Sequence, residues 1–407
     1  MKFEKFSAKP NKLSRLGSTF LLASSLGLVQ AFAHPRSAVA GVVTLPDGSR
    51  CEGELREGKL AGPGNCQYAN GDRYEGQFLN GKPHGQGTYT FKEGGRYSGE
   101  FVEGEFNGKG VREFANGNRY EGEFKNGNFE GLGVFSTANG TRYEGSFTNG
   151  SPSGKGAFTF SNGTRCEGEL KDGKISGKGV CQYANKNRYE GELQNNLPHG
   201  QGIYTFAEGG RYEGQFNEGQ FNGKGIREYP NGNRYEGEFV NGNAQGQGIL
   251  TLKEGGRYQG LFNNGEFNGE GVREFPNGNR YQGNFTKGKP HGQGTLTFAQ
   301  GGSYAGEFQE GKINGKGVYT FANGNRYEGT FTDGKMNGKG VYTFANGDRC
   351  EGEFREGQFN GKGVCTYANG DRYEGEFLNG QKHGKGSYLY ADGTKVEGTW
   401  QQGQLQK

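Results

Sequence analysis

The sequence is poor in the residues that fill a protein core. Hydrophobic residues make up 30% of the 407 positions, with only two methionines and one tryptophan. Glycine supplies 83 residues, which argues against the two or three ordinary domains that this length suggests. A disordered glycine-rich linker is excluded as well, because Tyr and Phe contribute 22 and 31 residues. The composition therefore predicts an ordered chain that has too few apolar residues to fill a thick core.

The sequence has one long apolar run, which spans residues 20–29. Five basic residues and one acidic residue precede it, and the small-residue site Ala31-Phe32-Ala33 follows. This order predicts a secretory signal peptide over residues 1–33, with an alternative cut after residue 40. The run is short for a membrane span, but an uncleaved N-terminal anchor stays open. We therefore expect an exported protein that is periplasmic, cell-surface or extracellular.

An excess of basic charge is also missing once that segment is set aside. Residues 1–33 hold five of the 48 basic and one of the 44 acidic residues, so the remainder carries 43 of each. The formal net charge of +4 thus belongs to the N-terminal segment. Nucleic-acid binding is not expected, because it depends on a basic surface.

Almost everything after residue 40 is one motif that recurs every 23 residues. The motif Tyr-Glu-Gly or a close variant begins at Cys51, Tyr74, Tyr97, Tyr120, Tyr143, Cys166, Tyr189, Tyr212, Tyr235, Tyr258, Tyr281, Tyr304, Tyr327, Cys350, Tyr373 and Val396. Numbered from that residue, positions 3, 12 and 14 are glycine in every repeat that reaches them. About fifteen full repeats and a half-repeat at each end fill residues 41–403, and residues 404–407 form a tail.

The residue pattern of each repeat predicts two strands, each with one face exposed to solvent. Positions 1–5 alternate apolar or small residues with charged ones, and positions 14–18 place aromatic residues on alternate positions. The Asn-Gly between repeats predicts a tight hairpin turn, and the glycine-rich stretch inside each repeat predicts a longer one. We therefore predict an all-β fold, an elongated single-layer antiparallel β-meander ribbon of 23-residue hairpin repeats.

Rings at positions 1, 5 and 18 are expected to cover the glycines at positions 3 and 14, because a glycine in a sheet leaves a gap that an aromatic ring can fill. One example is Tyr327, Phe331 and Phe344 over Gly329 and Gly340.

The pattern resembles the MORN repeat family, whose members share Y-x-G-x-(F/W)-x-x-G-x-x-x-G-x-G at this period. The resemblance covers residues 41–403. It implies a non-enzymatic scaffold, or a module that holds proteins near membranes, and acidic phospholipid binding has been proposed for several members. Familiar members act in the cytosol and some lie beside lipid-kinase domains, whereas we expect this chain to be exported and to carry no appended catalytic domain.

Catalytic, cofactor and metal sites are not expected. The carboxylates and the G-x4-G-K matches recur with the repeat, whereas an active site needs a constellation unlike its surroundings. The array histidines all take position 11, in the predicted longer turn, and lie too far apart along the array to share a metal ion: His84, His199, His291 and His383. We predict no enzyme and no cofactor.

Two sets of arginines stand out. A basic residue ends nearly every repeat, from Arg50 to Arg372, and shares a face with the Glu at positions 2 and 4. A face of ion pairs is predicted, and contact with anions or a membrane stays open. The second set enters the aromatic face, each member six residues after a Phe that it could cover: Phe106 with Arg112, Phe221 with Arg227, and Phe267 with Arg273. This set is a hypothetical partner-binding patch, with a variant sub-repeat as the alternative.

The six cysteines form three pairs at positions 1 and 16 of one repeat: Cys51 and Cys66, Cys166 and Cys181, Cys350 and Cys365. Each pair replaces two aromatic positions together, which indicates contact, and export supplies an oxidising compartment. We predict three structural disulfides, although a diagonal cross-strand pair would lie near the limit of disulfide reach. Zinc is the alternative, but the spacing matches no familiar ligand pattern.

The function expected from the sequence is a non-catalytic exported scaffold that mediates protein–protein interaction or envelope attachment, with self-association also expected. The first alternative is a peripheral membrane or phospholipid-binding module, and the second is binding of envelope polysaccharide. The sequence leaves the partner and the oligomeric state open.

Overall fold

The structure is a computed structural model that describes residues 39–406. The predicted signal peptide at residues 1–33 lies outside the described residues. Residues 39–406 contain strands and turns and no helix, so none that is long and apolar enough to cross a membrane. They cluster into an N-terminal half that ends at Ala207 and a C-terminal half that starts at Glu208.

The N-terminal half consists of fifteen strands in its described residues. They are β1 Val39–Thr44, β2 Arg50–Arg56, β3 Lys59–Gln67, β4 Arg73–Leu79, β5 Lys82–Thr90, β6 Gly95–Val102, β7 Glu105–Phe114, β8 Arg119–Lys125, β9 Asn128–Ser136, β10 Arg142–Thr148, β11 Ser151–Thr159, β12 Arg165–Lys171, β13 Lys174–Gln182, β14 Arg188–Gln194 and β15 Leu197–Thr205.

The C-terminal half has eighteen strands up to residue 406. They are β16 Arg211–Asn217, β17 Gln220–Glu228, β18 Arg234–Val240, β19 Asn243–Thr251, β20 Arg257–Asn263, β21 Glu266–Glu274, β22 Arg280–Thr286, β23 Lys289–Thr297, β24 Ser303–Gln309, β25 Lys312–Thr320, β26 Arg326–Thr332, β27 Lys335–Thr343, β28 Arg349–Arg355, β29 Gln358–Thr366, β30 Arg372–Leu378, β31 Gln381–Leu389, β32 Lys395–Gln401 and β33 Gln404–Leu405.

Within each half, consecutive strands pair antiparallel along the whole series. The glycines at positions 3 and 14 set the register, because they lie opposite each other both inside a repeat and between repeats. Gly87, for example, is opposite Gly76 of its own repeat and Gly99 of the next. The predicted all-β antiparallel meander of 23-residue hairpin repeats is confirmed.

The two kinds of turn are the reverse of those predicted. The tight two-residue turn lies inside the repeat, where Asn80 and Gly81 both have positive φ, 52° and 83°, as a type I′ turn requires. The Asn-Gly between repeats lies in a longer loop, closed by the Tyr68 N–H on the Asp72 carbonyl oxygen. Only the glycine of that loop, Gly71, is left-handed. The Asn-Gly dipeptide alone could not distinguish these cases, because its glycine is left-handed in both turns and only the asparagine conformation differs.

The glycine-rich stretch that was predicted as a turn is part of the second strand of each repeat. Gly76 pairs with Gly87 and Phe78 with Pro83, so three residues bulge opposite Gln77. Gly85 has a φ of 70° in this bulge, a conformation that favours glycine. The position-11 histidines therefore lie in strands rather than in turns.

The tyrosine at position 1 covers both glycines by itself. A Cβ on Gly340 would lie 2.4 Å from the Tyr327 hydroxyl oxygen, and a Cβ on Gly329 would meet the same ring. Phe331 packs edge-on against Tyr327 with ring centroids 5.1 Å apart. Phe344 lies at the loop edge and is 39% exposed, so the predicted role of position 18 in covering the glycines is wrong.

Candidate interaction surfaces

The face that carries positions 1 and 5, here called the aromatic face, buries its own rings. The tyrosines at position 1 are at most 2% exposed and the phenylalanines at position 5 at most 6%. Most of these tyrosines pack edge-on against the position-5 Phe of their own repeat and of the next, as Tyr258 does at 5.1 Å from both Phe262 and Phe285. The rings of the aromatic face are thus buried within a single chain.

Hydrogen bonds fix these tyrosines in place. The hydroxyl of Tyr258 donates to the carbonyl oxygen of Leu261 at 2.9 Å, and that of Tyr281 donates to Asn284 at 3.0 Å. Burial raises the pKa of both side chains to about 12. A buried phenol that is bonded to its own backbone is a structural group rather than an acid or a base for catalysis.

The cysteine pairs are disulfides that join opposite residues of one hairpin: Cys51 with Cys66, Cys166 with Cys181, and Cys350 with Cys365. In each pair the Cα atoms are 4.0 Å apart. The concern about a diagonal geometry was wrong, because positions 1 and 16 are directly opposite in the register. No free cysteine remains among residues 39–406.

A different residue covers the glycines in these three repeats. Without a tyrosine at position 1, the position-10 side chain reaches over them. Ile175 Cγ2 would lie 2.7 Å from a Cβ on Gly168, and the Phe359 ring would lie 2.3 Å from a Cβ on Gly363. Replacement of the aromatic pair by a disulfide is thus compensated within the same hairpin.

The hypothetical partner-binding patch divides into a buried and an accessible part. Phe106, Phe221 and Phe267 stack on the position-1 tyrosine of their own repeat, with ring centroids 3.8–3.9 Å apart. They belong to the packing of the aromatic face. Arg112 is 8% exposed, and its guanidinium lies 3.6 Å from the Phe91 centroid. Burial lowers the pKa of Arg112 to about 10.

The other two arginines are half-buried beside a ring at position 18. Arg227 lies 5.3 Å from the centroid of Tyr229, and Arg273 lies 4.7 Å from that of Phe275. These four side chains, here called the loop-edge row, stand where a hairpin ends and the loop to the next repeat begins. Tyr229 is 37% exposed, so this row is accessible.

The sequence carries a partial signal for these arginines, which is the glycine at position 22 of the preceding repeat. In ordinary repeats the position-16 tyrosine bonds to position 22 of the preceding loop, as Tyr89 does to Asp72 at 2.6 Å. Where position 22 is glycine, a Cβ would strike the next loop: on Gly95 it would lie 2.4 Å from the Glu113 carbonyl oxygen. Gly95, Gly210 and Gly256 each precede one of the arginines by seventeen residues, whereas Gly302 precedes Tyr319 at the same spacing. A glycine at position 22 therefore accompanies each of these arginines but does not require one.

A lysine near the end of the chain lies among four aromatic rings. Lys382 occupies position 10 of its repeat, and its ammonium is 4.2–5.3 Å from the centroids of Tyr367, Tyr373, Tyr388 and Trp400. Burial lowers the pKa of this lysine, partly opposed by the nearby Asp371. The protein's own side chain occupies this cage.

The opposite face of the sheet, here called the charged face, is covered with ion pairs. In most repeats the final arginine pairs with the Glu two residues later, as Arg142 does with Glu144 and Arg165 with Glu167, both at 2.6 Å. These pairs are exposed, so each stabilises the fold only weakly. The predicted face of ion pairs is present, and it neutralises most of the arginine column.

An open furrow runs along the charged face of each half. Its floor is the backbone of the position-3 and position-14 glycines, whose missing Cβ atoms would point to the aromatic face. Positions 2 and 15 form one wall, and positions 4 and 13 form the other. In the C-terminal half the furrow has a volume of about 1530 Å³ between Gln247 and Lys339, and in the N-terminal half a furrow of about 1130 Å³ runs from Glu144 to Gln201.

Residues 39–406 contain no group of three or more His, Cys, Asp or Glu side chains placed to hold a metal ion. The histidines lie on separate strands of different repeats, as the sequence indicated.

The family model described as MORN repeat matches fifteen consecutive segments of this chain. They are residues 51–73, 74–96, 97–119, 120–142, 143–165, 166–188, 189–211, 212–234, 235–257, 258–280, 281–303, 304–326, 327–349, 350–372 and 373–395. The matched segments begin at the residues that the glycine pattern had identified as repeat starts. A search of curated proteins found no match.

Two solved structures align with parts of the sheet. One is the TCP domain of Drosophila melanogaster SAS-4 in complex with a proline-rich motif of Ana2, at 15% identity and a TM-score of 0.20, covering 48% of this chain and 86% of that one. The other is the TCP10 domain of Danio rerio CPAP, at 11% identity and a TM-score of 0.12, covering 66% of this chain and 99% of that one. At these scores the alignments say nothing about function.

Proposed function

Because the chain belongs to the MORN repeat family, we propose that it is a non-catalytic, exported scaffold that binds another protein. MORN repeats are generally protein- or membrane-interaction modules. A repeat sheet of this kind offers a long regular surface on which a few departures from the repeat can create a binding site. The loop-edge row is such a departure, and it carries the proposal.

The loop-edge row has the chemistry of a protein-binding surface. Arg and Tyr are enriched among the residues that dominate binding energy, and here they come pre-positioned by packing against each other. Arg227 and Arg273 lie beside aromatic rings, whereas Arg142 and Arg165 pair with glutamates on the charged face. A partner with exposed carboxylates and apolar side chains could engage both the guanidinium groups and the rings.

The test is crosslinking and affinity purification from the native envelope with the intact protein. The double substitution Arg227→Ala and Arg273→Ala should reduce recovery of the crosslinked partner about tenfold or more, as expected when two central contacts are truncated. The matched control is Arg211→Ala with Arg234→Ala, which removes the same charge from the ion-paired charged face. Equal losses from both variants, or no crosslinked protein at all, would refute the proposal.

Peripheral membrane binding is the rival that the family suggests. The balance of 43 basic and 43 acidic residues after residue 33 weakens electrostatic attraction to anionic lipid. The self-burial of the aromatic face leaves few rings to insert into a bilayer. Flotation with anionic vesicles distinguishes the two proposals. Salt-sensitive binding to the vesicles would favour membrane binding, and no binding would favour a protein partner.

Export is supported by the three disulfides, since such bonds persist in oxidising compartments. Mass spectrometry of the protein from its native source tests export directly. It should find an N-terminus after residue 33 or residue 40, and six oxidised cysteines. Six free thiols with an intact Met1 would contradict the proposal.

A further inference from the structure

In one stretch of the C-terminal furrow, the glutamates that form one wall in most repeats are replaced by uncharged residues. Position 2 is Glu in twelve of the sixteen repeat starts. In three consecutive repeats it is instead Gln259, Gln282 and Ala305, and all three line the furrow. Position 4 changes alongside, to Leu261 and Asn284 in the first two of these repeats. A run of neighbouring exceptions on one wall marks this stretch as chemically distinct from the rest of the array.

The arginines beside this wall have amide partners in place of carboxylates. Arg257 donates to the Gln259 side-chain oxygen and Arg280 to that of Gln282, each at 3.0 Å. Five amides line the furrow here: Gln247, Gln259, Gln282, Asn284 and Gln293. Three charged side chains line the same stretch, Glu270, Glu274 and Arg280, of which Glu274 lies opposite Arg280 in the strand register. The stretch is therefore polar and close to neutral.

A ligand that covers an amide-lined surface pays a smaller desolvation cost than one that covers an ion-paired surface. A ligand that covers a carboxylate or a guanidinium must displace tightly held water, whereas the desolvation of an amide costs less when a hydrogen bond replaces it. Each amide also offers both donors and an acceptor, which matches a hydroxyl group that donates and accepts. The glycine floor with Val272 and Val318 supplies apolar contact for CH groups.

The position of the furrow disfavours an extended peptide as its ligand. Peptide strands are recognised mainly at sheet edges, where unpaired main-chain groups are available. The floor strands β20 to β26 are each paired on both sides, so they offer no free main chain. A ligand in this furrow can therefore be bound only through side chains.

We propose that the amide-lined furrow between Gln247 and Ala305 binds a strand of neutral polysaccharide. One repeat advances the furrow by two strands, about 9.6 Å, which is comparable to the length of a disaccharide. Successive repeats can therefore present equivalent amides to successive disaccharides. This site is independent of the loop-edge row, which lies toward the other face and would bind a protein.

Binding of neutral oligosaccharides by the intact protein tests the proposal. Cellohexaose, chitohexaose and maltohexaose are titrated by calorimetry, beside an oligogalacturonate and an unstructured Gly-Ser-Asn peptide. At least one neutral glycan should bind. The triple substitution Gln259→Glu, Gln282→Glu and Ala305→Glu should weaken that binding about tenfold or more, because it restores a hydrated carboxylate at each wall position. These variants should fold, since Glu328 is accommodated at the same position and pairs with Arg326 at 2.6 Å.

The matched control adds three carboxylates outside this furrow, with Gln77→Glu, Ser98→Glu and Gln215→Glu, and should bind the glycan with unchanged affinity. Failure of every neutral glycan to bind would overturn the proposal, as would binding of the peptide alone or a triple variant that binds as tightly as the native protein. Since the loop-edge substitutions Arg227→Ala and Arg273→Ala leave the furrow intact, they should not alter glycan affinity, so this proposal and the protein-binding proposal can fail separately.

Discussion

A pair of glycines under one tyrosine is the smallest structural element of this fold. Tyr327 lies against Gly329 and Gly340, and each glycine lacks the Cβ that would occupy the position of the ring. The glycines therefore serve a close approach between backbone and ring rather than flexibility. The repeat pattern let us predict that aromatic rings cover the glycines, but it could not distinguish positions 1, 5 and 18, which are aromatic in most repeats.

Substitution of one such glycine should be strongly destabilising. In Gly340→Ala the new Cβ would lie 2.4 Å from the Tyr327 hydroxyl oxygen and 2.5 Å from its ring carbons, so the ring must move. We expect a loss of about 3 kcal/mol in the free energy of unfolding, at the upper end for overpacking. Gly357→Ala is the control, because its Cβ meets nothing and only its φ of 84° costs about 1–2 kcal/mol. Urea unfolding that ranks the two variants in the opposite order would contradict this account.

The tyrosines should also make the fold sensitive to alkali. Burial raises the pKa of Tyr258, Tyr281 and Tyr327 from 10.0 to about 12. Because the folded state holds these protons more tightly, the stability they contribute is complete below pH 10 and is lost as the pH rises toward about 12. The urea midpoint should fall over that interval, and less steeply in Tyr258→Phe, which has one titrating group fewer. A midpoint independent of pH in this interval would show that the tyrosines are not buried as described.

At the scale of the hairpin, the disulfides replace aromatic contacts as cross-strand links. The sequence allowed the pairing to be predicted because no repeat has only one cysteine. The sequence did not reveal that the two cysteines of a pair are directly opposite. Their register depends on a bulge, and the position of the bulge follows from the left-handed glycine at position 12. The residue that covers the glycines also changes in these hairpins, which no local pattern indicated.

Removal of one disulfide should destabilise its hairpin without unfolding distant repeats. In Cys166→Ala with Cys181→Ala the closed loop of 15 residues is lost, which costs about 3 kcal/mol in the chain-entropy estimate. Hydrogen exchange should quicken in β12 and β13 and stay unchanged in β28 and β29, which keep their own disulfide. Equal acceleration in all four strands would indicate a global effect and contradict the prediction.

The link between a loop glycine and the next hairpin can be tested by exchange of both residues. Gly95→Asn alone should destabilise, because its Cβ would lie 2.4 Å from the Glu113 carbonyl oxygen. Arg112→Tyr alone should cost less, because Gly302 and Tyr319 hold the same glycine–tyrosine combination in another repeat. The double variant recreates the pair formed by Asn187 and Tyr204, which bond at 2.8 Å, and should recover about 0.5–3 kcal/mol of coupling energy. Strictly additive losses in chemical denaturation would show that the two positions are independent.

For the molecule as a whole, the 23-residue period predicted nearly all of the fold and little of the candidate sites. A period fixes strands, pairing and the two faces, because every repeat must match its neighbours. The sites lie where repeats differ, as at Gln259 and Arg227, and a difference gains meaning only when the register shows which residues line one surface. The ion pairs of Arg142 and Arg165 were predictable for the same reason, since they follow the period.

The period also predicts which deletions the protein tolerates. Removal of residues 327–349 takes out one complete repeat and joins Arg326 to Cys350. The new neighbours keep the register: Gly317 would face Gly352 instead of Gly329, and Asn325 would replace Asp348 as the acceptor of the Ala368 N–H. Because repeats contact mainly their neighbours, we expect a folded protein with six paired cysteines and a melting temperature close to that of the parent.

A deletion one residue shorter, which keeps Tyr327, is the matched control. It shifts the side chains that follow by one position along the strand, so the aromatic set of the next hairpin would turn toward the charged face. Circular dichroism, thiol titration and thermal melting should show local unfolding and exposure of Cys350 and Cys365 in this variant alone. Equal tolerance of the two deletions would mean that the loops absorb register shifts, and that the period does not determine which face each side chain occupies.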